Sequence, residues 1–134
     1  MTQNDFFTFT QSNSKNTIIS FSVGNEKYKF DSKIQYSDVM VFVDKKIVIV
    51  VHSISSANTD YLGAAFNFSG LKIADISFPK FISEHSNIHC SFSWSTYNKN
   101  VLKMFFGTDS VMIRDFWVDY NMDLLAYGDS GESR

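Results

Sequence analysis

Only one proline, one cysteine and six glycines occur in the 134 residues. So little proline and glycine leaves few obligatory breaks and excludes collagen-like or low-complexity architectures. The single cysteine, Cys90, cannot form an intramolecular disulfide, so the chain carries no mark of an oxidising compartment. No apolar run approaches the roughly 20 residues of a membrane-spanning helix. The opening MTQNDFFTFTQSNSK lacks a basic stretch followed by an apolar core, as a secretory signal would have. The expected location is the cytoplasm, with no membrane as a partner. Positive charge is scarce too: the net charge is −2. A general nucleic-acid binder needs a basic stripe to release counterions, so direct nucleic-acid binding is not expected.

What the chain does have is aromatic and β-branched side chains. Hydrophobic residues make up 44% and aromatics 16%, with fourteen Phe. That composition favours a folded, strand-rich chain. The length predicts one domain, 1–134.

Alternation locates the strands. In TIISFSV, Ile19, Phe21 and Val23 share one face with Ser20 and Ser22 opposite. In EKYKF, Tyr28 and Phe30 oppose Lys27 and Lys29. Gly24-Asn25 between them is a two-residue hairpin signal of type II′. FFTFT alternates weakly and is a candidate first strand, followed by a polar loop. Val39–Val43 and Ile47–His52 flank Asp44-Lys45-Lys46 without clean alternation, which predicts a hairpin buried on both faces. YLGAAFNFS and LKIADISF read as strands around a Ser69-Gly70 turn, ended by Pro79. Lys80 to Ser86 is either a short helical turn or a loop.

NIHCSFSWS alternates strictly, which puts Ile88, Cys90, Phe92 and Trp94 on one face. TYNKN reads as a turn, VLKMFF as a strand, GTDS as a turn and VMIRDFWVDY as a strand, before a frayed tail GDSGESR. The expected fold is therefore all-β: a small antiparallel barrel or sandwich of about nine or ten short strands, with at most a short helix. Val41, Ile49, Phe66, Phe92, Trp94 and Phe116 are expected in the core.

Few residues carry a chemical signature. Glu84, His85 and His89 would suit a metal only on a helix, yet His89 opens an alternating strand, and no third ligand cluster is evident. Cys90 shares an apolar face and reads as a buried thiol. No nucleophile elbow, phosphate-cradling loop or dinucleotide fingerprint is present. Neither an enzyme, a cofactor nor a metal is expected. Serines and threonines line the opposite strand faces, as on a solvated sheet or in a polar cavity.

SVMIRDFWVDY is the most informative stretch. Met112, Arg114, Phe116, Val118 and Tyr120 form the candidate core face. Opposite them, Trp117 stands between Asp115 and Asp119. A partly exposed tryptophan among carboxylates has the composition of a binding hot spot; packing under a loop is the alternative. Asp109 in the preceding turn and Asp123 beyond extend the candidate site.

KYKFDSKIQYSDVMVFVD, AFNFSGLKIADISFP and FWVDYNMDLL, together spanning Lys27 to Leu125 in outline, resemble a group of small bacterial immunity proteins of contact-dependent growth inhibition and related polymorphic toxin systems. The chain departs from the group at Ala74, where a tryptophan is usual. The resemblance implies a non-enzymatic protein that binds one cognate toxin domain, often a nuclease, inside the producing cell; a monomer is expected. On that reading Asp109, Asp115, Trp117, Asp119 and Asp123 are the toxin-binding residues. A small-ligand-binding β-barrel is the alternative.

Overall fold

The computed structural model describes residues 8–12, 16–35, 37–57, 59–79, 89–109 and 115–132. Over these the chain is all-β. Eleven strands are β1 (Thr8–Ser12), β2 (Thr17–Val23), β3 (Glu26–Asp31), β4 (Ser37–Phe42), β5 (Ile47–His52), β6 (Tyr61–Asn67), β7 (Lys72–Ser77), β8 (Cys90–Asn98), β9 (Val101–Thr108), β10 (Phe116–Asn121) and β11 (Ala126–Glu132). They form three antiparallel sheets in the orders β1-β2-β3, β4-β5-β6-β7 and β11-β10-β9-β8. Among the described residues no sheet closes into a barrel. The segment read as a short helical turn or a loop, 80–86, lies outside the described residues, as do Met112 and Arg114.

Contacts divide the chain into two units, each of two stretches: Met1–Ser53 with Leu62–Ile76, and Ile54–Tyr61 with Ser77–Arg134. In the first unit, β2 and β3 meet through Gly24-Asn25 with Val23 opposite Glu26, and Gly24 has φ +60°. This is the two-residue hairpin that the sequence predicts. Phe21 and Tyr28 from that hairpin pack with Phe68, all ring centroids within 5.0 Å of one another. Phe30 packs against Phe66 at 5.3 Å. These contacts hold the three-stranded sheet on the four-stranded one. The runs around Asp44–Lys46 form the β4–β5 hairpin, with β5 inside the sheet and β4 at its end. Val48, Ile49, Val50 and Val51 are fully buried, as the missing alternation requires. Each such side chain contributes about 1.5–3 kcal/mol relative to exposure, and that explains four in a row.

The second unit holds β8–β11, strapped by the segment before β6. Ser56 N–H donates to the Cys90 carbonyl at 2.8 Å, and Cys90 N–H donates to Ser56 Oγ at 2.9 Å. Phe78 N–H donates to the Asp60 carbonyl at 2.8 Å. Phe106, Phe116, Met104, Val118, Leu102 and Tyr120 form the buried face of this sheet.

Three expectations need correction. β8 does not alternate strictly: Phe92 pairs with Phe106 but Trp94 with Phe105, so Ser93 is an extra residue, a β-bulge. The bulge moves Trp94 to the opposite face, where it is 53% exposed instead of buried; Phe92 is half-buried. The expected TYNKN turn shrinks to Lys99-Asn100, because β8 continues to Asn98. The tail is no frayed end but β11, paired with β10 from Phe116↔Glu132 to Asn121↔Ala126.

Candidate functional site

The outward face of the β8–β11 sheet gathers most of the candidate residues. Cross-strand pairing sets Trp94, Phe105, Trp117 and Gly131 in one row across all four strands. The next row along β9 and β10 pairs Lys103 with Asp119. In the other direction lies Asp115, whose Oδ1 accepts the Thr108 N–H at 3.2 Å. The face therefore carries Asp115, Trp117 and Asp119 together, as alternation along β10 predicts.

The other two candidates sit at opposite ends of it. Asp109 follows β9; its Oδ1 accepts the His89 N–H at 3.0 Å while its own N–H donates to the His89 carbonyl at 3.1 Å. Asp123 lies in the turn after β10, where Asn121 Oδ1 accepts the N–H groups of Asp123 and Leu124, each at 2.9 Å. Asp109, Asp115 and Asp123 are exposed.

Within this face the two tryptophans differ. Trp117 is half-buried and engaged on both sides. A Cβ on Gly131 would stand 2.8 Å from its Cζ2, so the indole lies against the glycine backbone of β11. Lys103 Nζ sits 3.8 Å from the ring centroid on its way to Asp119, whose Oδ1 is 3.7 Å away. That Oδ1 is buried and accepts no hydrogen bond, so the contact is an ion pair and no more. A cation–π contact of about 0.5–1 kcal/mol and a surface pair of about 0–1 kcal/mol both act on Lys103. Trp94, by contrast, stacks on Phe105 with centroids 3.9 Å apart and planes 2° from parallel, leaving its other side to solvent.

Sequence reading missed Trp94, Phe105 and Lys103. The unrecognised bulge hid the first. The other two alternate with buried Leu102, Met104 and Phe106, and that alternation was the available signal.

Behind this face lie three groups whose titration is displaced. Burial pushes the Cys90 thiol up to about 11, against the opposing effect of its contact with Ser56. Burial likewise pushes the Tyr120 phenol up to about 12 and raises that of Tyr127 further. Tyr127 Oη donates to the Ser77 carbonyl. These groups serve the core, and the raised thiol is a poor nucleophile near neutral pH. Among the described residues no three His, Cys, Asp or Glu side chains gather where a metal ion could be held. No helix there is long and apolar enough to cross a membrane.

No protein-family description, curated protein or solved structure matches this chain.

Proposed function

We propose that the protein is a binding inhibitor of the immunity type, which neutralises a cognate toxin domain by covering its active site with the outward face of β8–β11. The observation that carries this reading is the combination on one sheet face of an aromatic row, with Trp94 exposed in it, and of carboxylates on and beside it, Asp115 exposed among them. Aromatic anchors supply most of the binding energy in protein interfaces, and a charged rim sets the encounter rate. Between His89 and Glu132 the carboxylates outnumber basic side chains two to one. A nuclease active site is basic because it holds phosphates, so a nuclease domain is the best electrostatic complement to this face. The exposed Asp115 then stands where a phosphate would bind, about 6–7 Å from the indole row along the strand, while Asp119 on the other side is engaged with Lys103. The producing cell's interior is where such a toxin has to be caught.

The test is a search for a toxin domain encoded beside this chain, followed by co-expression of the two. Co-expression is expected to restore growth, and the purified pair is expected to associate at a rate that falls as salt rises. The double variant Asp115→Asn, Asp119→Asn is expected to slow association and flatten that salt dependence. A neighbouring toxin domain that kills equally well with and without this protein would overturn the reading.

A further inference from the structure

The two indoles of the outward face are not equivalent, and their difference assigns the anchor. We propose that Trp94 is the anchoring residue of this face and that its open ring receives an arginine head group from a basic protein surface; the inference rests on the inhibitor reading above and names what the site takes. Trp117 has both sides occupied within the chain, by the Gly131 backbone and by Lys103 Nζ at 3.8 Å. Trp94 has one side occupied, by Phe105 at 3.9 Å and 2°. The parallel stack fixes the indole before any partner arrives, so little rotamer freedom is lost on binding. At 53% exposure it is the most exposed aromatic side chain of the sheet.

Charge decides the occupant. An indole face attracts cations, and the face itself already shows the arrangement once, with an ammonium over Trp117 beside Asp119. Lys103 and Asp119 compensate each other, so among the described residues the exposed Asp109, Asp115, Asp123 and Asp129 outnumber the exposed Lys99 and set the sign of this sheet. A polyanion, whose bases would also stack on Trp94, meets like charge. A guanidinium lies flat on an indole and can reach a carboxylate with its remaining N–H groups, which a compact ammonium does less well.

The probe is an acetylated hexa-arginine peptide added to the full chain with 15N-labelled indoles. At low salt the Trp94 Nε1–H resonance is expected to shift while that of Trp117 stays. Trp94→Ala should weaken binding about fivefold or more. Trp94→Tyr should keep most of the affinity, and Leu71→Ala, an exposed apolar residue of the other unit, all of it. Hexa-arginine that does not bind, or binds Trp94→Ala as well as wild type, overturns the assignment. So does a Trp94 resonance that answers a neutral oligosaccharide in place of the peptide, or a Trp94-dependent dimer in sedimentation. The two readings fail separately. Wild-type neutralisation by Trp94→Ala would sink the anchor and leave the inhibitor. Peptide binding at Trp94 in a protein that neutralises nothing would sink the inhibitor and leave the cation site.

Discussion

Two tyrosines in one edge-to-face pair divide the roles that a buried phenol can have. Tyr120 and Tyr127 pack at 5.4 Å and 76°. Tyr127 Oη has an acceptor in the Ser77 carbonyl, whereas the buried Tyr120 Oη has no partner. An unmade hydrogen bond on a buried polar atom is the more costly state. Tyr120→Phe, which deletes only that oxygen, is therefore expected to leave the urea midpoint unchanged or raise it. Tyr127→Phe removes a satisfied bond and strands a carbonyl, and should lower stability by about 1 kcal/mol. Equal losses in the two variants would mean that Tyr120 Oη is satisfied in solution.

At the scale of the element, turns explain both what the sequence reveals and what it hides. Two hairpins are led by asparagines whose side chains replace backbone acceptors. Asn67 Oδ1 accepts from Ser69 and Leu71 N–H, and Asn121 Oδ1 accepts from Asp123 and Leu124 N–H. Turn residues are legible in a sequence, and the Ser69-Gly70 turn it predicts joins β6 to β7. The β2–β3 and β4–β5 hairpins were legible from alternation and from its absence. What stayed hidden depends on pairing between distant segments. β11 has few side chains with strand preference and is held by β10 and by the indole over Gly131. The Ser93 bulge leaves no mark in composition, so half of the outward face was legible, namely Trp117 with its aspartates, and Trp94 was not. The β8–β9 turn carries a stability margin. Lys99 and Asn100 have φ +47° and +72°, the left-handed region that Asn-Gly fills with less strain. Lys99→Asn with Asn100→Gly is expected to stabilise the protein by about 1 kcal/mol, read as a higher denaturation midpoint. No gain would show that the turn in solution adopts other dihedrals.

At the scale of the molecule, neither compact unit is a continuous piece of chain. The second takes its strap from Ile54–Tyr61, while the first takes Leu62–Ile76 from beyond it. A fragment of residues 77–134 contains all four strands of the outward face but loses the three hydrogen bonds made with Ser56 and Asp60. At about 1 kcal/mol each, their loss is a large share of the stability of so small a sheet. The fragment is expected to unfold at lower urea than the same sheet in the full chain, followed through exchange of the Phe106 and Val118 amides. Coincident midpoints would show the strap to be dispensable.

The bulge at Ser93 also bears on how such a surface changes over generations. Side chains on a strand have a period of two, so one inserted residue exchanges faces for everything on one side of it. Here the bulge absorbs the extra residue: with Ser93 taken up, Phe92 and Trp94 keep the opposite faces that adjacent residues of a regular strand have. Loss of the Ser93 codon would join Phe92 to Trp94 in a regular strand and leave Trp94 on the outward face beside Phe105. The displayed tryptophan is therefore tolerant of a one-residue length change at position 93, which a regular strand would answer by turning one of its halves over.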